Sequence, residues 1–280
     1  GFLMAAVGSA VGLGNIWGFP NKMGANGGFP FLILYLALAL CCGVIIMLGE
    51  LALGRKTGHG AVGAYQSISK RFKWLGWLGI AAAALIFSFY SALGGYCLRY
   101  VVVNFGNLIG AEFGTNGVGG ADVFQGLLSQ PDVSIAFALA FMLITMLVVM
   151  SGVGGGIERV SVGMPALFFI LIICIIRSCT LPGAADGLKY MFVPGWAVAN
   201  GIIDEAPGFW KVLTAAGGQM FFSLSLGAGV MITYGSYLDK KQDLGKSAMI
   251  IVGMDTVVAL MAGLCVIPGR FALDPNGALG

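Results

Sequence analysis

Residues 8–15 read Gly-Ser-Ala-Val-Gly-Leu-Gly-Asn, at the centre of a stretch, 1–20, that carries no charge. A run of about 20 mostly apolar residues is long enough to cross a bilayer. Gly8, Gly12 and Gly14 nevertheless make it a poor continuous helix. Inside lipid every backbone N–H and C=O needs a partner, so unwound chain persists only where protein, water or a bound solute supplies one. A span built to break at mid-depth is therefore a place to hold an ion or a small solute.

Composition agrees. The chain has 280 residues, 58% of them hydrophobic and 10% charged, against about 25% charged in a soluble domain. It reads as a polytopic membrane protein. A net charge of +3 without a basic stripe gives no reason to expect a nucleic-acid partner. Cys41, Cys42, Cys97, Cys174, Cys179 and Cys265 form no C-x-x-C pair and are expected to be reduced packing residues. His59, the single histidine, lies in a basic connection, and the glycines at 152–156 precede no strand pattern. Neither an enzyme nor a nucleotide loop is expected. No Met precedes Gly1, and the chain reads as cut from a longer protein.

Seven candidate spans follow from the apolar runs: 2–24, 29–54, 76–106, 134–151, 160–181, 210–237 and 247–272. The connection 55–75 holds Arg55, Lys56, Lys70, Arg71 and Lys73 with no acid, while 107–133 holds Glu112, Asp122 and Asp132 with no base. Basic loops mark the cytoplasmic side, so 55–75 is expected inside and the N-terminus cytoplasmic. The proline-rich connection 182–209 is expected to form short surface helices. Phe72, Trp74, Leu75, Trp77 and Leu78, beside the basic run, suit an interfacial anchor at the inner leaflet.

Three ionisable residues fall within spans, and a charge at the bilayer centre costs at least ~2.5–3.5 kcal/mol. Glu50 sits near a span end, where a snorkelling or helix-end carboxylate is one of two open readings and a functional role the other; Arg99 can reach water and receives no role. Asp255 is too short and too deep to snorkel, so it should face a cavity and a cation. Span six has a second weak point, Gln219-Met-Phe-Phe-Ser223-Leu-Ser225-Leu-Gly227-Ala-Gly229. Small residues at this spacing also serve close helix packing, as would Gly8 and Gly12. Two interrupted spans together with a buried acid favour a binding site.

Several segments resemble the neurotransmitter:sodium symporter family, in particular its bacterial amino-acid transporters. They are Gly8 through Trp17, Phe19-Pro20, Asn26-Gly-Gly28, Glu50-Leu-Ala-Leu-Gly-Arg55, Ser88-Phe-Tyr90-Ser, Gly156-Ile-Glu-Arg159, Ala185-Asp-Gly187 and Gly218 through Tyr237. They run in family order across nearly the whole chain. The resemblance implies an all-α integral membrane fold of inverted repeats with helices 1 and 6 broken, of which this chain holds the first seven of twelve spans.

It also implies roles. Sodium site 1 would use the Ala10 carbonyl, the Asn15 and Ser223 side chains and Asp255, which falls where many relatives have Asn. Sodium site 2 would use the Gly8 and Val11 carbonyls with residues of an eighth span. Substrate carboxylate would meet the Leu13 and Gly14 amides, Tyr90 and the first sodium. Substrate amine would meet carbonyls of Ala10 and Phe222 and the Ser225 region. The Phe222 ring would lie over the substrate as an outer lid, with Ile86 and Ala228 at the side-chain end. Monoamine members carry Asp where this chain has Gly12, so the pocket is expected to take an amino acid, bulky and apolar or aromatic.

Relatives usually place a gate Arg where this chain has Gly18, which leaves that gate either absent or rebuilt; Lys22, one turn further out, is a candidate for the rebuilt case only. Chloride-dependent members bind the anion through Tyr, Gln and Ser, here Tyr35, Gln219 and Ser223. Asp255 brings negative charge to the same place, so chloride is not expected to be required. The implied function is sodium-coupled symport of an amino acid across the cell membrane, with Na+, substrate and lipid as partners. The alternative is a sodium-dependent amino-acid-binding sensor or subunit that does not transport.

Overall fold

A computed structural model describes residues 12–111, 113–115, 120–152, 155–156, 158–161, 163–239 and 241–274. Among them every regular element is helical. The chain divides into two units, residues 1–79 with 161–280, and residues 80–160.

In the first unit a π-helical turn, Gly14–Gly18, runs into α1, Phe19–Ala25. Next come α2, Phe29–Leu38, a π turn, Ala39–Gly43, and α3, Val44–Thr57, as one continuous helix. Gly58 ends it in the left-handed conformation, its N–H bonded to the Gly54 carbonyl at 2.8 Å. Then come α4, Ala61–Ile68, and the start of α5, Lys73–Ile109, which continues into the second unit. The second unit is completed by α6, Gly120–Leu128, and α7, Pro131–Met150, before the short α8, Glu158–Ser161. Back in the first unit lie α9, Met164–Cys179, α10, Ala184–Phe192, α11, Trp196–Ala199, α12, Phe209–Ser223, α13, Val230–Ser236, and α14, Leu244–Leu273.

Among the described residues four helices are long and apolar enough to cross a membrane: Phe29–Thr57, Lys70–Ile109, Pro131–Met150 and Leu244–Leu273. The pair Pro165–Cys179 and Ala184–Phe192 passes the same test together, bent by 110°. No residue of α7 is buried by protein, and Leu85, Leu108 and Met150 point outward. In water such apolar faces would aggregate; in lipid they match their solvent, and the chain is a multi-pass membrane protein.

The expected anchor behaves accordingly, with Phe72, Trp74, Trp77 and Leu78 exposed. Short helices do form in 182–209, and α10 lies at the surface with one face down: Ala184, Gly187, Tyr190 and Met191 are buried, while Ala185, Asp186 and Lys189 are exposed. One expectation needs correction. The cysteines are free as expected, yet Cys41, Cys42, Cys97 and Cys174 are exposed and do not fill the core.

Within a largely aliphatic core, an aromatic cluster lies beside the site. Phe19 meets Tyr35 edge-on with ring centroids 4.9 Å apart and Phe31 at 5.6 Å, and all three are buried. Tyr190 donates from its hydroxyl to the Gly24 carbonyl at 2.7 Å. It lies over Gly28, whose positive φ of 67° and contact with the Tyr190 backbone exclude any side chain. Pro268 inside α14 lacks the N–H that would serve the Leu264 carbonyl. The Cys179 thiol reaches that carbonyl at 3.8 Å and joins α9 to α14.

Candidate functional site

The described part of the first broken span begins at Gly12, whose carbonyl accepts from the N–H groups of Asn15 and Ile16, each at 3.1 Å. Leu13 and Gly14 therefore occupy the first turn of a helix, where amides have no acceptor within the helix and favour a negative group. A Cβ at Gly12 would meet nothing within 4 Å, whereas one at Gly14 would approach the Phe222 ring at 3.3 Å. The glycine at 14 thus lets the Phe222 ring settle against the helix start.

Asn15, Tyr35, Ser223 and Asp255 arrive on four separate elements and meet in the interior. The Asn15 amide donates to the Asp255 carboxylate at 2.8 Å and to the Asp255 backbone carbonyl at 2.9 Å. Ser223 donates to the same carboxylate oxygen at 2.8 Å, and the Tyr35 hydroxyl to the other at 3.0 Å. The Ser223 oxygen also lies against the Asn15 side-chain carbonyl. A serine hydroxyl carries one proton, so it cannot donate to both the carboxylate and the amide oxygen. Three oxygens converge with too few donors between them. That hard, oxygen-only set fits a sodium ion, with the full charge supplied by Asp255.

Gln219, one turn before Ser223 on α12, is also fully buried and donates to the Gly14 carbonyl at 2.7 Å. Its amide oxygen has no partner among the described residues, and a Cβ on Gly18 would lie 3.3 Å from it. Lys22, half-buried, holds its ammonium over the Phe222 ring, 6.0 Å from the centroid.

The second expected break is present. α12 ends at Ser223 and α13 begins at Val230. Between them Ser225, Gly227 and Gly229 adopt φ of 53°, 81° and 73°. Three left-handed residues in five stop a helix outright, and Ser225 is the single non-glycine with positive φ among the described residues. Unwinding leaves amides without helical acceptors, and Glu50 from α3 accepts the Gly227 N–H at 2.7 Å. Glu50 is thus no snorkelling or helix-end carboxylate: it braces the break. Its charge, after burial, also holds the Tyr65 phenol on α4 above the ordinary range.

Of the expected site residues, Leu13, Gly14, Asn15, Tyr35, Gln219, Phe222, Ser223, Ser225, Ala228 and Asp255 all lie in the first unit. Ile86 and Tyr90 lie on α5 in the second unit. Gly8, Ala10 and Val11 fall outside the described residues. Sequence reasoning left the role of Glu50 open. The available signal was an acid inside a span of a chain whose glycine-rich break had to leave amides unpaired.

Comparison with known proteins gives a consistent result. A family model for the Sodium:neurotransmitter symporter family matches residues 1–116 and 121–269. The uncharacterized sodium-dependent transporter YhdH of Bacillus subtilis is 41% identical over 99% of this chain and 60% of its own length. An uncharacterized sodium-dependent transporter of Methanocaldococcus jannaschii is 32% identical over 95% of this chain and 54% of its own. The crystal structure of MhsT in complex with L-phenylalanine superposes with a TM-score of 0.87 at 39% identity, covering 100% of this chain and 62% of that one. This chain therefore spans about three fifths of the length of these proteins.

Proposed function

The chain belongs to the sodium:neurotransmitter symporter family, and from that premise we propose that it builds the sodium-1 and amino-acid half of a symporter. Sodium is held by Asn15, Ser223 and Asp255, with the Ala10 carbonyl completing the set. Gly8 and Val11 contribute to a second sodium position. The observation that carries this reading is the convergence of the Asn15, Ser223 and Asp255 oxygens beside the Gly14 helix start and the Ser225–Gly229 break.

Substrate sits between those two breaks. Its carboxylate meets the amides of Leu13 and Gly14, with sodium as a further partner. Its amine meets carbonyls of Ala10 and Phe222 near Ser225. Opposed helix ends of this kind suit a zwitterion. Gly12 supports an amino acid over a monoamine, since no acid stands there to hold an amine whose molecule lacks a carboxylate. The Phe222 ring closes over the ligand, and Lys22 above it takes the place of the gate side chain missing at Gly18. The small Ala228 leaves room for a bulky side chain, and the L-phenylalanine bound to MhsT agrees with that size.

The deciding measurement is a labelled amino-acid panel on the full-length transporter in proteoliposomes, with and without a sodium gradient. Leucine, tryptophan and phenylalanine are expected to compete at least tenfold better than glycine or alanine, and only with sodium present. The reverse order would sink the bulky-side-chain reading. Sodium-dependent binding without uptake would favour the non-transporting sensor.

Chloride is expected to be dispensable. Two of the groups that would hold it, Tyr35 and Ser223, already donate to Asp255, and an anion placed beside that carboxylate would be repelled. Replacing chloride by gluconate should leave uptake within a factor of two. Collapse in gluconate would overturn the assignment. The cytoplasmic N-terminus rests on the charge asymmetry of the loops.

A further inference from the structure

We propose that the connection between α3 and α5 binds the phosphate headgroup of an anionic phospholipid in a hollow between His59 and α4. The hollow measures about 540 Å³ and is lined by His59, Gly60, Gly63, Gln66, Ser67 and Lys70. Gly63, Gln66 and Ser67 lie on α4, one turn apart, with Gly60 at its N-cap, so one face of α4 forms the floor, and Lys70 follows the extended Ser69 at its edge. The His59 β-carbon would lie 2.8 Å from a Cβ on Gly63, so glycine there lets the histidine lie against the helix.

The lining is rich in donors and short of partners. Ser67 spends its proton on the Ala64 carbonyl at 2.8 Å. Among the described residues no carboxylate pairs with Lys70, since the single ion pair joins Lys189 to Asp186. No hydrogen bond engages the Gln66 amide or the His59 ring among them either. Between Glu50 and Glu112 the sequence contains no acid, and Glu50, whose charge reaches Tyr65 on α4, accepts the Gly227 N–H. Arg55 is committed to the Gln242 carbonyl at 2.6 Å, which leaves Lys56, Lys70, Arg71 and Lys73 facing outward. In the adjoining loop Asp239 and Asp243 accept from the backbone N–H groups of Lys241 and Lys246, at 3.0 Å and 3.1 Å. Asp239 is thus engaged within its loop and Asp243 as the N-cap of α14.

A phosphate ion alone would account for the donors but not for what lies beside them. Ile68 is 62% exposed, Trp74 59% and Trp77 57%, next to Lys70 and Arg71 in the chain. A patch that is cationic on one side and apolar-aromatic on the other matches a lipid, with its phosphate in the hollow and its acyl chains along the tryptophans. The inference needs membrane insertion only, so it stands or falls independently of the amino-acid assignment.

Native mass spectrometry of the full-length transporter, titrated with phosphatidylglycerol or phosphatidylcholine of matched chains, tests it. Phosphatidylglycerol is expected to bind at least tenfold more tightly. A basic residue at an anionic surface contributes about fivefold, so the Lys70→Gln, Arg71→Gln double variant should weaken phosphatidylglycerol more than tenfold and leave phosphatidylcholine unchanged. Lys241→Gln with Lys246→Gln removes equal charge from the neighbouring loop and should leave both lipids as in the parent. Equal loss in the two double variants would reduce the site to diffuse charge, and no loss in either would dispose of it. Displacement of the lipid by millimolar inorganic phosphate would show that the hollow takes a free anion, which also overturns the proposal.

Discussion

Asp255→Asn is expected to raise the sodium concentration needed for half-maximal amino-acid binding by about a hundredfold in chloride-free buffer. The change conserves volume, so packing around α14 is kept. What it removes is the one full negative charge in a set that otherwise offers an amide oxygen, a hydroxyl and backbone carbonyls. Two unit charges 4 Å apart interact by about 4 kcal/mol at an effective dielectric of 20, of which the loss of some 2.7 kcal/mol corresponds to a hundredfold. The substitution also places an NH2 group among the Asn15 amide, the Ser223 hydroxyl and the Tyr35 hydroxyl, which now donate to the carboxylate. One of those three donors must turn away or remain unsatisfied. Sodium titration of radioligand binding reads the effect, with thermal unfolding as the check that the variant still folds. An unchanged sodium midpoint would remove Asp255 from the ion site.

Much of this site was legible because membranes make polar residues conspicuous. An acid nine residues into an apolar run has few explanations in lipid, and Asp255 proved to be the buried partner of Asn15, Tyr35 and Ser223. The break in span six was legible from its glycines, although only coordinates reveal that Ser225 shares the left-handed conformation. Glu50 was left undecided for a physical reason. Its depth in a span is that of a helix-end residue, and nothing along one strand of sequence says which amides another helix exposes to it. In α10 the buried Ala184, Gly187, Tyr190 and Met191 fall at helical spacing and so mark an inner face, but nothing local says that α14 covers it. The family resemblance supplied roles for residues such as Leu13 and Gly14 whose backbone groups, unlike side chains, have no signature in composition.

Bracing and breaking are coupled through α3. It carries Glu50 to the Gly227 amide, and four residues later it presents Gly54 to α13, the helix that resumes after the break. The two helices touch backbone to backbone. A Cβ on Gly54 would fall on the Ile232 carbonyl, and one on Gly235 would lie 2.5 Å from the Leu51 carbonyl. Neither obstacle is a side chain that can rotate away. Close approach through small residues is how helices associate in lipid, where no hydrophobic force holds them together.

Gly54→Ala should therefore push α13 outward and draw the Ser225–Gly229 turn away from Glu50. Overpacking costs about 1–3 kcal/mol where side chains can yield, and this contact belongs at or above the upper end. A fall of about 10 °C in the thermal midpoint follows from that energy for a chain of this size, together with at least tenfold weaker substrate binding. Gly49→Ala, on the same helix, is the matched comparison because a Cβ there meets nothing within 4 Å. Alanine is the better helix former by about 1 kcal/mol, so Gly49→Ala should be neutral or slightly stabilising. Size-exclusion thermostability of the three proteins decides the point. If Gly54→Ala and Gly49→Ala melt together, α3 and α13 do not meet as closely as Gly54 and Ile232 indicate, and the brace at Glu50 loses its mechanical support.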